Sequence, residues 1–190
     1  WTFWFAPATS VAEAMPAIDG VVGGNWVQLG RTDGDQTFAS VGTLTAFSDN
    51  DVNAPRKHVR PSEGFTVAAD LVELTLENLA QITSRLAASV VAGTSGAHNT
   101  VTLGLHRGFI AERFSMLARG SALDTTNTKS AYGILPAQYY VPLGVFDGEQ
   151  SFVFGKSNRP SGSFVFTAEF DDTQSAGLEL GQLIMSTGLT

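Results

Sequence analysis

The side chains of this chain that offer chemistry are three histidines, one basic cluster and one acidic dyad. His58 lies in the basic cluster, His98 in a Gly/Ser turn, and His106 beside Arg107 at the end of an apolar alternation. None has a histidine four residues on or a carboxylate at metal-ligand spacing, so a zinc site finds no support. A Ser–His–Asp triad is a spatial arrangement, but no G-x-S-x-G elbow is present to carry one. Gly20, Gly23 and Gly24 neither follow a strand nor open a helix, which excludes a phosphate loop. Asp171 and Asp172 read as a solvated pair in a turn. Cysteine is absent, removing disulfides, thiol catalysis and thiolate metal sites together. The expectation is a protein without enzymatic activity and without a cofactor.

The basic cluster is the exception to this silence. Arg56, Lys57, His58 and Arg60 sit between Pro55 and Pro61, in a polar, turn-rich stretch running over 48–63. A charge run is ordinarily a solvated loop tip. Yet long loops in compact domains tend to be functional, and cations within a chain of net charge −7 suit contact with acidic groups on a second copy. The assembly reading is preferred. The acidic balance disfavours specific DNA or RNA binding, which depends on counterion release by Lys and Arg. Only 15% of residues are charged against 43% hydrophobic, a globular composition with less charge than a fully solvated surface needs. Other subunits covering part of that surface would account for it.

With 190 residues the chain can bury a sizeable core. No apolar run is long enough to cross a bilayer as a helix, and WTFWFAPATSVAEAM lacks the basic start of a secretory signal. The missing initiator Met leaves room for residues upstream. Residues 1–24 are expected to form an N-terminal arm, with Trp1, Phe3, Trp4 and Phe5 packing on the chain's own core or on a neighbouring subunit. GVVGGN (20–25) reads as its hinge. The domain proper spans 25–172, and 173–190 forms a C-terminal arm.

Within the domain, WVQLG (26–30) and QTFASVGTLTAF (36–47) read as strands joined by an Asp33-Gly34 hairpin turn. Gly42 suggests a bulge or a close backbone approach. Phe65, Val67, Ala69 and Leu71 share one strand face, with Thr66, Ala68 and Asp70 opposite. Leu76, Leu79, Ile82, Leu86 and Val90 form the apolar stripe of a helix over 75–91, N-capped by Thr75 and facing Glu77, Gln81, Arg85 and Ser89 away. One amphipathic helix must lie on a sheet. Strands follow at 100–106, 112–119, within 130–146 (broken by Pro136 and Pro142), at 151–154 and at 163–170. The fold class is mainly β with one helix, a β-sandwich or barrel flanked by it.

The order WVQLG, acidic turn, threonine-rich strand and long charged loop, followed by an alternating strand running into LVELTLENLA, resembles the major tail tube proteins of long-tailed bacteriophages. The likeness covers about residues 25–92; the N-terminal aromatic segment has no counterpart in it. It implies a virion protein, assembled in the host cytoplasm, whose hexameric rings stack into a hollow tube. One sheet per subunit would contribute to a continuous β-barrel lumen, negative enough for DNA to pass without specific binding. Residues 48–63 would reach an adjacent ring, and the helix from Thr75 would cover the barrel from outside. Asp70 and Glu169, or Glu73 if the strand bends, become lumen candidates. Implied partners are further copies of the chain and other tail proteins (tape measure, terminator and baseplate). Whether the tail is contractile does not follow. The competing functions are another β-sandwich virion or binding module, such as a capsid decoration or carbohydrate-binding protein, and a small hydrolase.

Overall fold

A computed structural model describes residues 1–8, 12–47, 57–73, 75–83, 90–95, 98–103, 111–123, 134–147, 152–153 and 161–186. In chain order the elements are β1 (Thr2–Pro7), β2 (Val27–Leu29), β3 (Thr32–Phe47), β4 (Lys57–Leu71), α1 (Leu76–Ile82), β5 (Val90–Ser95), β6 (His98–Leu103), β7 (Phe114–Leu123), β8 (Ile134–Asp147), β9 (Phe152–Val153), β10 (Ser161–Ala168) and β11 (Gln182–Met185). Among the described residues the class is mainly β with a single helix, as the alternation implied.

Nine strands form one antiparallel sheet in the order β2-β1-β7-β8-β10-β4-β3, with β11 beside β8 and β9 beside β10. Strands β5 and β6 make a separate two-stranded sheet. The large sheet curls over its own concave face. Its two ends approach closely enough for Trp1 and Phe3 of β1 to meet the Phe38 ring of β3, at centroid distances of 5.0 and 6.3 Å. Thr32 Oγ1 of β3 also donates to the Trp1 carbonyl at 3.1 Å. Strands β2 and β3 are not paired with each other, so the sheet does not close into a barrel.

The concave face holds the main core. Phe3, Phe5, Phe114, Phe146, Phe164 and Phe166 interlock there, mostly edge to face, with Val67, Leu71 and Met116 filling between them. Such ring geometry adds to the transfer free energy of burial. The expected face of β4 is confirmed: Phe65, Val67, Ala69 and Leu71 are buried while Asp70 is exposed.

Several boundaries differ from the sequence expectation. The first residues are not an arm, because β1 is an interior strand hydrogen-bonded to β2 on one side and β7 on the other. Phe3 and Phe5 enter the concave core and Ala6 a second cluster on the opposite face, with Trp4 packed against it. Nor is there a hairpin at Asp33-Gly34. Strand β2 pairs with β1, and Gly34, at φ 68°, lies in a register shift between Asp33 and Thr37 where β3 runs against β4.

The polar stretch over 48–63 is not wholly loop. Strand β4 begins at Lys57, and its register against β3 shifts between Thr43 and Thr45, opposite Val59 and Ser62. Pro61, which has no N–H to give, falls within that irregularity. Gly42 lies beside this irregularity, and a Cβ there would stand 3.2 Å from the Ser62 carbonyl oxygen, the close backbone approach expected of it.

The helix is shorter than the stripe suggested. Thr75 caps it by accepting from Asn78 N at 3.1 Å. Thr83 ends it, its hydroxyl donating to the Leu79 and Ala80 carbonyls. Val90 belongs to β5, and Gln81, expected outside, is buried. Leu86 lies outside the described residues. Strand β8 passes through both prolines unbroken: Pro142 sits in a bulge opposite Phe114 and Met116, and its carbonyl accepts from Ser115 Oγ at 2.7 Å. The C-terminal segment is no free arm either, because β11 pairs with Ala137 to Tyr140 of β8.

Candidate assembly surface

Strands β3 and β4 continue well beyond the core that organises them. From Ser40 to Ala46 and from His58 to Glu63, every residue whose side chain is described is exposed. Both faces of this ribbon are therefore bare, and it carries Val41 at 56%, Leu44 at 63% and Val59 at 37% exposure. A two-stranded ribbon without a third layer is marginally stable in water. Apolar side chains on both of its faces point to a covering partner.

The basic cluster lies at the far end of this ribbon. His58 pairs in register with Ala46 and is exposed; Lys57 pairs with Phe47. Arg60 reaches Glu63 within its own strand, NH1 to Oε1 at 3.2 Å, with both side chains about half exposed. Such a surface pair is worth about 0–1 kcal/mol and is readily exchanged for another partner. Arg56 lies outside the described residues.

The convex face of β8, β10, β4 and β3 is the second surface. In register across the strands, Val165 stands beside Ala68 and Asp147, and Thr167 beside Thr66 and Val145. Apart from the exposed Asp147, these are small or β-branched side chains, half buried by their neighbours. Asp70 is exposed on this face, opposite Ser163 on β10 and Asp33 on β3. Glu169 extends the same row of β10, its N–H donating to the Leu143 carbonyl. The structure thus brings Asp70 and Glu169 to one face, at opposite ends of β10. The Glu169 carboxylate lies 2.8 Å from Arg113 Nε, so its charge is largely offset. Glu73 is exposed beyond the end of β4, and its carbonyl accepts from Asn78 Nδ2.

Over β1, β7 and β8 the convex face is covered instead by a strap, residues 12–26, so this part of the expected N-terminal arm lies on the chain's own core. Four side chains of β7 and β8 fasten it through its main chain. Ser115 Oγ accepts from Glu13 N, Tyr140 OH donates to the Glu13 carbonyl, Gln138 Nε2 to that of Pro16, and Arg119 to those of Ala17 and Gly20. Gln138 Oε1 in turn accepts from Arg119 Nε. Burial pushes the Tyr140 phenol up to about 12, with Asp171 and Glu13 adding to the shift, and burial alone does the same to Tyr139. Burial lowers the Arg119 pKa, partly offset by Asp19.

Asp171, expected in a solvated pair, is buried, whereas Asp172 is exposed. Its carboxylate accepts from Thr173 N, Thr173 Oγ1 and Gln174 Nε2. Burial pushes its pKa up, but these bonds outweigh burial and hold it below the usual range. It is the cap of the turn leading to β11. No group of His, Asp and Glu among the described residues is placed to hold a metal ion. His106 lies outside those residues. No described helix is long and apolar enough to cross a membrane.

Two surfaces thus stand open for contact: a projecting basic-tipped ribbon and an uncovered sheet face bearing carboxylates. Comparison with protein-family models and with curated proteins returns no match.

Proposed function

We propose that the chain is a structural subunit of a phage tail tube, whose copies form hexameric rings that stack into a hollow tube within the virion. The convex faces of β8, β10, β4 and β3 line the lumen, and the acidic balance of the chain, −7 overall, lets the genome pass without adhering. The tube meets the other tail proteins at its ends. The observation that carries this reading is the β3–β4 ribbon, which extends beyond its own core with apolar side chains bare on both faces. A second layer supplied by neighbouring copies removes that exposure. The likeness of residues 25–92 to tail tube proteins supports the choice among possible assemblies.

The test is direct imaging of the purified chain by negative-stain electron microscopy across a concentration series, with sedimentation velocity in parallel. Rings and hollow tubes of uniform width are the expected result. A chain that remains monomeric at the highest soluble concentration would refute the proposal and favour a binding module.

A further inference from the structure

The β3–β4 ribbon is electrically polar along its length. Its far end carries Lys57, His58 and Arg60, while its near end carries Asp33, Asp35 and Asp70. Asp33 and Asp70 stand directly opposite one another across the two strands. Like charges in that position repel. The Asp33 carboxylate accepts only from the neighbouring Gly34 N–H, and the structure gives neither carboxylate a cationic partner among the described residues. Beside them opens a cleft of about 440 Å³ whose walls include Gly34, Val72, Val153 and Ser163. An opening of that size admits a lysine or arginine side chain.

We infer that the far end of the ribbon of one copy docks at the near end of the ribbon of the next, with Lys57, His58 and Arg60 meeting Asp33 and Asp70. This rests on the assembly reading above and names the acceptor that reading leaves open. Three observations converge on it. The ribbon's far half is exposed, its near end holds a like-charge pair with no cationic partner among the described residues beside a cleft, and the two ends carry opposite charge on the same pair of strands. The contact is head to tail, so it propagates along an axis instead of closing on itself. Arg60 exchanges its exposed bond to Glu63 for the new partner.

The geometry sets the repeat. At about 3.3 Å per residue, the stretch of β4 from Asp70 back to His58 spans roughly 40 Å. Successive copies along the axis are therefore separated by about that distance, or less if the ribbon is tilted.

The experiment uses two charge-reversed full chains. One carries Lys57→Glu with Arg60→Glu, the other Asp33→Lys with Asp70→Lys. Each alone places like charges at every head-to-tail contact and is expected to lose stacking. Mixed in equal amounts, each supplies the other's complement, and tubes of alternating copies should return. Arg60, Asp33 and Asp70 are exposed on their strands, and circular dichroism with thermal melting checks that each variant is folded. Asp33→Asn with Asp70→Asn serves as a milder variant and should weaken stacking with increased sensitivity to salt. Loss in each variant without recovery in the mixture overturns the acceptor assignment while leaving assembly itself intact. Undiminished stacking in either reversed chain, or an axial repeat well above 40 Å in wild-type tubes, overturns it as well. Failure of the wild-type chain to assemble is a separate result, which bears on the proposed function.

Discussion

Replacing Phe5 with alanine separates a strand built into the core from an arm reserved for a neighbour. The Phe5 ring is fully buried in the monomer and stands 4.7 Å from Phe146, 5.2 Å from Phe166 and 6.0 Å from Phe164. Truncating a buried Phe costs about 3–5 kcal/mol in transfer and cavity terms. Each lost ring pair contributes about 0.5–1.5 kcal/mol beyond burial, which places Phe5→Ala at the upper end, near ~5 kcal/mol. That is a large share of the roughly 5–15 kcal/mol that holds a domain together. At about 2–4 °C per kcal/mol for a domain of this size, the melting temperature falls by roughly 10–20 °C. The assay is urea and thermal unfolding at concentrations too low for assembly, with Val21→Ala, whose side chain is 93% exposed, as the control expected within about 0.5 kcal/mol of wild type. A Phe5→Ala chain that unfolds with the wild-type midpoint but no longer assembles would show that β1 belongs to the neighbour, and the core assignment fails.

Two further outcomes follow from buried groups. Asp171→Asn keeps only part of a three-bond cap and should cost about 1–2 kcal/mol at neutral pH. Because the folded pKa lies below the unfolded value, this stability is present above about pH 4 and is lost as pH falls through the folded pKa. The gap between variant and wild type therefore closes in acid, and an equal gap at pH 7 and pH 2 contradicts the capping role. Gly144→Ala sets a Cβ 2.5 Å from the Thr167 carbonyl oxygen and 2.7 Å from the Phe166 ring, where backbone cannot yield cheaply. A loss of about 1–3 kcal/mol is expected in urea unfolding, and a neutral result would mean that β8 and β10 can separate locally at no cost.

The parts of the fold that the sequence reveals are those with one packed face. Phe65 to Leu71 and Phe164 to Ala168 alternate because the other face is not covered by protein, so period and parity are legible. Strand β1 is buried on both faces, and its aromatic run carries no period that separates a core strand from a sticky terminus. The helix start is legible because Thr75 is a local signal. Its end is not, because the spacing of three and four continues through Leu86 to Val90, while Thr83 closes the helix with its own hydroxyl. Pro142 misleads for a related reason: a bulge opposite Phe114 and Met116 removes the need for an N–H, and nothing in the sequence marks it, while Pro136 holds regular register against Ser121. At the candidate site the basic residues stand out, but the strand that holds them does not. With neither face of the ribbon covered, Lys57 to Glu63 has no alternation to show. Asp33 and Asp35 were hidden by a Gly34 that suits a hairpin turn as well as the irregularity it occupies.

The strap over β7 and β8 has a consequence for how this chain can change. Its fastenings from Ser115, Arg119, Gln138 and Tyr140 grip peptide groups and ignore the side chains attached to them. At those points spacing matters more than identity, whereas Met15, Val22 and Trp26 anchor the strap through their side chains. A single inserted or deleted residue between Glu13 and Gly20 throws several carbonyls out of reach at once, whereas outward side chains such as Val21 can be exchanged almost freely. The protein thus possesses a patch of surface whose chemistry can drift, or be rewritten by design, on a mounting whose length is fixed.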